Sequence, residues 1–193
     1  MEMEAQVLEL DTRLMLGVKS GEGVCMDQLL QRHRGPVIQF LYRMVRNRAI
    51  AEELAQNVFL RVYRSRTTYE PTAKFTSWLF RIATHVALNW LRDRRHEVHQ
   101  LSLSAGLERD TERQIPDRRP TVDQLLLHDV KLEEVRRAIA DLPDRQRAAV
   151  IMHKYEELEY TQIAIALRCS PQTVKSLLFR AYNTLRVRLA HMV

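Results

Sequence analysis

Apolar residues recur at intervals of three and four along most of this 193-residue chain, and few helix-breaking residues interrupt them. The sequence holds only 5 glycines and 6 prolines, so the stretches between them are long. This spacing places apolar side chains on one face of an α-helix, whereas a half-buried strand requires strict alternation. No stretch of the sequence shows convincing alternation. The sequence therefore predicts an all-α fold.

The helical pattern breaks at recognisable capping and turn residues. Asn47 is a plausible N-cap for a helix over residues 48–64, and Pro143 is suited to the first turn of a later helix. Gly35 and Pro36 interrupt another apolar stripe and predict a kink or a break there. The predicted helices cover residues 8–19, 26–45, 48–64, 76–95, 122–141 and 143–155, followed by a closely spaced pair over 160–186.

A polar stretch separates the fourth predicted helix from the fifth. Between Glu97 and Pro120 the helical periodicity disappears and two prolines and one glycine occur. A connection of about 25 residues is longer than those within most compact domains and is typical of a flexible linker. We therefore expect two small helical domains over residues 1–96 and 122–193, joined by a linker over residues 97–121.

The formal net charge of +6 is concentrated in two blocks. Residues 61–95 carry 8 Lys and Arg against 2 Asp and Glu, and residues 141–193 carry 8 against 5. The block between them, residues 96–140, carries 7 against 9. Two basic blocks indicate two surfaces for a polyanion, because cation–phosphate contacts dominate the affinity of proteins for nucleic acids. Solvated basic faces of ordinary helices remain an alternative.

The sequence lacks the marks of an exported or membrane-spanning protein. No apolar run approaches the roughly 18 residues that a membrane span requires, and the acidic start MEMEAQVLEL does not resemble a signal peptide. Cys25 and Cys169 are far apart and form no CxxC motif. We expect a cytoplasmic protein in which the two cysteines are small buried residues and form neither a disulfide framework nor a zinc knuckle.

The stretch LRCSPQT joins the last two predicted helices through a very short turn. Ser170 and Pro171 provide an N-cap and a first helical residue, and a turn of about three residues is typical of a helix-turn-helix. Polar and basic residues lie on the predicted outer face of the second helix, as in a helix that enters the major groove. A helical hairpin packed within a bundle is the structural alternative.

Two segments of the sequence resemble one protein family. The stretch LPDRQRAAVIMHKYEELEYTQIAIALRCSPQTVKSLLFRA is similar to the promoter-reading C-terminal domain of extracytoplasmic-function (ECF) sigma factors, group IV of the sigma-70 family. The stretch AEELAQNVFLRVYRSRTTYEPTAKFTSWLFRIATHVALNWLR resembles their domain that binds core polymerase and reads the −10 element. Together the two likenesses cover about residues 25–95 and 125–190, in the family's order.

The resemblance implies that residues 48–64 meet the clamp of the largest polymerase subunit. Phe59 is open to a second interpretation, as packing within the domain. Asn57 stands where the family usually has Glu. The implied polymerase-binding residues are Glu52, Glu53, Leu54, Gln56, Asn57 and Phe59.

The resemblance also implies that the loop 66–75 and the following helix capture flipped bases of the melted −10 element. Unstacking a base costs a few kcal/mol, which stacking and phosphate contacts must offset. Tyr69 is equally compatible with a loop anchor, Trp78 and Trp90 are expected in the core, and His85 replaces the family's usual Asn. The implied −10 residues are Arg66, Tyr69, Lys74, Arg81, His85, Asn89 and Arg92.

By the same resemblance the last helix pair reads the −35 element. Leu177 stands where the family often has Arg, and Arg168 replaces a common Gly at a turn that often requires left-handed backbone. Val174, Leu178, Ala181, Leu185 and Leu189 are expected to form the buried stripe. The implied −35 residues are Arg168, Gln172, Thr173, Lys175, Ser176, Phe179 and Arg180.

The implied function is therefore to bind RNA polymerase core, through its clamp and β flap, and to direct it to promoter DNA under the control of an anti-sigma factor. The resemblance implies no catalytic residue, no cofactor, no metal and no membrane insertion. A stand-alone helix-turn-helix regulator is the alternative. A metal-dependent nuclease is disfavoured, because the close histidine pair His96 and His99 has no nearby carboxylates at metal-site spacing.

Overall fold

The computed structural model describes residues 2–105 and 123–192, with side chains described for residues 10–97 and 131–192. Every regular element in these ranges is helical, which confirms the predicted all-α fold. The α-helices are α1 (Glu2–Lys19), α2 (Gly23–Val45), α3 (Arg48–Arg64), α4 (Phe75–Ala105), α5 (Asp123–Ala140), α6 (Asp144–Lys154), α7 (Tyr160–Leu167) and α8 (Pro171–Arg188).

The predicted capping residues begin two of these helices. The side chain of Asn47 accepts a hydrogen bond of 3.0 Å from the backbone N–H of Ile50 at the start of α3. The Ser170 side chain accepts one of 3.2 Å from the N–H of Thr173, and Pro171 occupies the first turn of α8. Each cap satisfies a backbone donor that has no partner within its helix. Local sequence therefore determines where α3 and α8 start.

Two helices run further than the sequence predicted. Helix α2 is continuous through Pro36, so the predicted break is absent. Gly35 and Pro36 are exposed, while Val37 and Phe40 are fully buried and hold the second half of the helix in the core. Helix α4 extends to Ala105, past residue 96 where the first domain was predicted to end. The remainder of the predicted linker, residues 106–121, lies outside the described residues.

Helices α1 to α4, with the 3₁₀ turn Arg66–Thr68, form what we call the N-terminal unit. Its centre is a set of large side chains without solvent exposure on α1, α2 and α4. Ala51 and Val58, also fully buried, bring α3 against this centre. Burial of each large apolar side chain contributes about 1.5–3 kcal/mol. The centre contains Met15, Leu29, Phe40, Leu41, Met44 and Leu79.

Helices α5 to α8 form the C-terminal unit. Ile151 and Met152 of α6, Ile163 of α7, and Val174 and Leu178 of α8 are buried at its centre. The short connection between α7 and α8 carries Arg168 in the left-handed conformation, with φ of 50° and ψ of 56°. This backbone turn sets the angle between the two helices, as a helix-turn-helix requires.

The two units share one continuous apolar core within the described residues. Helix α4 packs against α7 and α6, and α2 packs against α6 and α5. Thr84 of α4 is only 1% exposed. Its hydroxyl lies 3.9 Å from the Met152 sulfur of α6. The C-terminal unit therefore covers one face of α4.

Candidate polymerase and nucleic-acid surfaces

Helix α3 presents a polar face that is opposite its buried stripe. Glu53, Gln56 and Asn57 are exposed and Glu52 is half-buried. The Arg61 guanidinium donates to the Asn57 side chain at 2.8 Å, and the Arg48 guanidinium donates to Glu52 at 2.6 Å. Four of the six implied polymerase-binding residues thus form one accessible surface, which we call the α3 face: Glu52, Glu53, Gln56 and Asn57.

The other two implied polymerase-binding residues are in the core. Leu54 is 7% exposed and Phe59 is 6% exposed. Their side chains anchor α3 on the N-terminal unit, which favours the packing interpretation of Phe59. Burial leaves them little surface for a partner in this conformation, so they position the α3 face rather than extend it.

The loop before α4 is held by an aromatic cluster. The Tyr69 ring is 2% exposed and lies edge-on to Trp78, with centroids 4.9 Å apart. Phe75 is also buried and lies 5.8 Å from Trp78. The Lys19 ammonium donates to the Tyr69 carbonyl at 2.9 Å, which ties the loop to α1. The structure therefore favours Tyr69 as a loop anchor over a role in stacking on bases.

A buried ionic cluster of α1 and α2 packs beneath this loop, and the sequence analysis missed it. Asp11 is 2% exposed and accepts a hydrogen bond of 2.7 Å from Arg32, and its other oxygen lies 2.9 Å from His33. His33 in turn packs on Phe75, with centroids 5.2 Å apart. Burial raises the pKa of Asp11, but the hydrogen bonds from His33 and Arg32 outweigh it and leave the pKa below its ordinary value.

The sequence feature that could have revealed this cluster is an ionisable residue on the apolar stripe of a helix. Asp11 shares its helix face with Leu14, Met15 and Val18, all buried. A carboxylate at such a position requires a partner, because an unpaired buried charge is costly. Its partner His33 lies on the apolar stripe of α2 in the same way.

Two cations, one half-buried and one exposed, lie at the ends of the loop. The Arg66 guanidinium stacks 4.1 Å from the Tyr63 ring centroid and donates to the Tyr63 carbonyl at 3.0 Å. Lys74 is exposed just before α4 begins. Arg66 and Lys74 lie beside the loop that Tyr69 anchors, at positions where phosphate contacts are possible.

The implied −10 residues of α4 lie along one face of the helix. Arg81 and Asn89 are half-buried, and His85 and Arg92 are exposed. The Asn89 amide nitrogen lies 3.5 Å from the His85 ring. Burial lowers the pKa of His85, and the positive charges of Arg168, Arg61 and Arg92 lower it further. His85 is thus favoured in its neutral form within a cationic surface.

The outer face of α8 is as accessible as the sequence predicted. Val174, Leu178 and Ala181 are buried and fix the helix, and Leu177 is half-buried against the core. Phe179 is 67% exposed. The Ser176 hydroxyl donates to the Gln172 carbonyl at 3.1 Å within the helix. The exposed set contains Gln172, Thr173, Lys175, Ser176, Phe179 and Arg180.

Arg168 adopts the left-handed turn in which the family often has Gly. For a residue with a Cβ atom this conformation costs about 1–2 kcal/mol. Its exposed side chain nevertheless faces α4, because Arg168 and Arg81 line the same open cleft between α7 and α4. The sequence did not predict that residues from the two implied DNA-reading surfaces meet.

Within the described residues, no three His, Cys, Asp or Glu side chains are close enough to hold a metal ion together. The side chain of His99, one of the close histidine pair, lies outside these residues. The helices described here also include none with the length and apolarity needed to cross a bilayer.

Comparisons with known proteins match both units. Residues 29–97 match the model of Sigma-70 region 2, and residues 132–185 match that of Sigma-70, region 4. The chain is 32% identical over 174 residues to the RNA polymerase sigma factor CarQ of Myxococcus xanthus, covering 90% of this chain and 94% of that protein.

A second relative supports the same assignment, and a solved structure shares the fold. The ECF RNA polymerase sigma factor SigE of Mycolicibacterium smegmatis is 34% identical over 165 residues, which are 85% of this chain and 61% of the length of SigE. The structure of the sigma factor RpoE from Bartonella quintana, in complex with the anti-sigma factor NepR, shares the fold. Its TM-score is 0.66 at 23% identity, over 85% of this chain and 96% of that one.

These matches favour a sigma factor, a class of transcription initiation factor, over a stand-alone helix-turn-helix regulator. The chain belongs to the ECF sigma factors of the sigma-70 family.

Proposed function

We propose that this chain binds RNA polymerase core through the α3 face and directs it to promoters by reading two DNA elements. The observation that carries the proposal is the presence of three separately built surfaces on one chain: the α3 face, the cationic loop with α4, and the outer face of α8. A regulator that binds duplex DNA alone requires only the last of these.

The α3 face is suited to a basic or amide-rich partner such as the polymerase clamp. It consists of Glu52, Glu53, Gln56 and Asn57. Buried residues on the opposite side of α3 keep this face in place, so a partner meets a preorganised surface. Asn57 in place of the family's Glu removes one negative charge from it. We infer that core affinity depends mainly on Glu53, which is exposed, whereas the Glu52 carboxylate is paired with Arg48.

The loop and α4 are suited to a melted −10 element. Arg66, Lys74, Arg81 and Arg92 supply positive charge for phosphates, and Asn89 and His85 supply hydrogen-bonding groups for base edges. The anchored Tyr69 holds the loop rather than stacking on a base. His85 in place of Asn implies a base preference that differs from that of relatives at the corresponding position.

The outer face of α8 is suited to the major groove of a duplex −35 element. Gln172, Lys175 and Arg180 reach outward with amide and cationic groups of the kinds that contact base edges and phosphates. Arg168 at the start of the turn is placed to contact a phosphate. Leu177 is half-buried at a position where relatives often have Arg. We therefore expect α8 to make one DNA contact fewer there.

We also infer that the chain acts in the cytoplasm under an anti-sigma factor, by analogy with the neighbour whose structure contains one. The polymerase proposal is tested by gel filtration of the full chain with core polymerase, followed by duplex binding of the chain alone. Co-migration with core and no sequence-specific duplex binding by the free chain are expected. Tight specific binding to a duplex without core, with no co-migration, would support the stand-alone regulator instead.

A further inference from the structure

A cleft of about 280 Å³ lies between α2 and α5 and contains none of the residues proposed to contact polymerase or DNA. Each helix lines the cleft from one face, with side chains from Gln39 to Arg46 in α2 and from Leu132 to Ile139 in α5. Tyr155, just after α6, also lines it. Small-molecule sites typically enclose roughly 300–1,000 Å³, so the cleft has the size of a small one.

Apolar side chains along the cleft remain partly accessible to solvent. Leu132 is 38% exposed, Tyr42 is 37% exposed and Tyr155 is 40% exposed. Val135 is half-buried and packs against the core. Removing apolar surface of this kind from water favours binding. The cleft is therefore suited to a ligand with an apolar body, and two aromatic rings are available to contact it.

Three arginines also line the cleft, and none of the acidic residues that the structure describes does so. Arg46 donates to Glu133 at 2.5 Å, and the Arg136 guanidinium lies 3.6 Å from the other oxygen of the same carboxylate. The Arg137 guanidinium lies 3.6 Å from it as well. One carboxylate thus serves three cations, which leaves an excess of positive charge beside the cleft.

The third lining arginine, Arg43, is also incompletely neutralised. The central carbon of its guanidinium lies 4.2 Å from the Tyr155 ring centroid, and one of its nitrogens lies 3.7 Å from the Glu156 carboxylate. Burial raises the pKa of Glu156 to about 7 despite Arg43. Near neutral pH this carboxyl therefore carries its charge only about half of the time.

Arg46 retains a hydrogen-bond donor that the chain does not use. Its Nη2 atom donates to Glu133, whereas Nη1 is buried and has no acceptor among the described residues. A guanidinium can donate two parallel hydrogen bonds to one carboxylate, in a fixed fork geometry. The Arg46 side chain is 31% exposed, so a small rotation of the guanidinium would present the unused donor to an acceptor in the cleft.

We propose that this cleft binds a small organic monoanion, an apolar ring that carries one carboxylate. The carboxylate contacts Arg46 and Arg136, and the ring lies between Tyr42, Val135 and Tyr155. A polyphosphate or a nucleic-acid strand fits the site less well, because it would leave the apolar side chains uncovered. The ligand site goes beyond the proposed function and does not depend on it.

The test titrates the full chain with 2-naphthoate at pH 7 and follows the methyl groups of Leu132, Val135 and Ile139 by NMR. The proposal predicts saturable chemical-shift changes at these methyl groups. The uncharged 2-naphthamide has the same ring system and is the matched ligand control. It should bind at least tenfold more weakly, because it cannot form charge-assisted hydrogen bonds with the arginines.

Two neighbouring arginines provide a matched pair of variants. Arg136 and Arg137 each lie 3.6 Å from Glu133, but only Arg136 lines the cleft. Arg136→Met should weaken 2-naphthoate binding about tenfold, and Arg137→Met less than twofold. Leu132→Trp places a larger side chain at the cleft and should abolish binding while all the arginines are retained. Circular dichroism checks that each variant remains folded.

Four results would overturn the proposal. The first is the absence of saturable shifts at the three methyl groups. The second is equal affinity for 2-naphthoate and 2-naphthamide, which would show that the arginines do not recognise the carboxylate. The third is an equal loss of affinity in Arg136→Met and Arg137→Met, which would indicate a general effect of charge. The fourth is unchanged binding in a folded Leu132→Trp variant.

Discussion

The Arg147 guanidinium donates a hydrogen bond to the backbone carbonyl of Met44, a residue 103 positions earlier in the chain. This bond joins α6 to the end of α2 and places a buried cation between the two units. Met is similar in length to Arg but carries no charge and no hydrogen-bond donor. Arg147→Met therefore leaves the Met44 and Leu142 carbonyls without a hydrogen bond from this side chain. We expect the free energy of unfolding to fall by about 1.5–3 kcal/mol, measured by urea titration.

Arg145→Met is the control for this prediction, because Arg145 donates to Leu167 within the C-terminal unit. Both variants should lose stability, but only Arg147→Met should speed the exchange of backbone amides at the C-terminal end of α2. Unchanged exchange there in Arg147→Met would show that its bond to Met44 is dispensable.

The Asp11 carboxylate should stabilise the N-terminal unit in a pH-dependent way. Its pKa is lowered in the folded chain, so its contribution is present above the unfolded value of 3.8 and is lost as the pH falls through the folded pKa. Asp11→Asn should cost about 1–3 kcal/mol at neutral pH and progressively less below about pH 4. Urea titrations from pH 7 to pH 3 measure this difference, with the exposed Asp93→Asn as control. A constant difference over that range would contradict the assignment.

The sequence predicted those elements that depend on neighbouring residues. The caps at Asn47 and Ser170 are local, since each side chain bonds a backbone N–H three positions later. The exposed positions of α8 could be predicted because the apolar residues Val174, Leu178 and Ala181 recur with the helical period.

What the sequence missed depends on contacts between distant segments. Thr84 is buried because another unit covers it, and periodicity within α4 carries no information about that unit. Pro36 stays within α2 because the surrounding apolar residues pack, which overrides its local preference. The pairing of Asp11 with Arg32 and His33 likewise requires α1 and α2 to be adjacent.

Glu53 should contribute more to polymerase binding than its neighbours on the α3 face. Glu53→Lys reverses an exposed charge at the proposed interface and should weaken core binding at least tenfold, with an unchanged circular dichroism spectrum. Asp27→Lys makes the same charge change on the exposed side of α2. Fluorescence anisotropy of labelled chain titrated with core compares the two. Equal affinities of the two variants for core would show that Glu53 is not part of the interface.

Lys175 and Arg180 should affect transcription only from promoters that carry a −35 element. Lys175→Ala and Arg180→Ala each remove an exposed cation, which should cost about 1–3 kcal/mol if a base is contacted and less for a phosphate. Run-off transcription on promoters with and without the upstream element measures the effect, and Lys154→Ala is the control. Loss of activity on both promoters would point to a defect outside −35 recognition.

The left-handed turn at Arg168 gives a prediction with two separate effects. Arg168→Gly should raise the free energy of unfolding by about 0.5–1 kcal/mol, because glycine adopts this backbone without a Cβ clash. It should also raise the pKa of His85 towards 6.5, since one of the charges that lowers it is removed. Urea titration and NMR titration of His85 measure the two effects. A lower stability would show that the side chain contributes more than the turn costs.

Selection of promoters from a random DNA library by core polymerase with and without this chain tests the central claim most directly. We predict that transcribed templates are enriched only when the chain is present, and that they share two sequence blocks at a fixed spacing. Lys175→Ala should relax the upstream block and Asn89→Ala the downstream block. Enrichment of a single block bound without core, or no enrichment with core, would contradict the account.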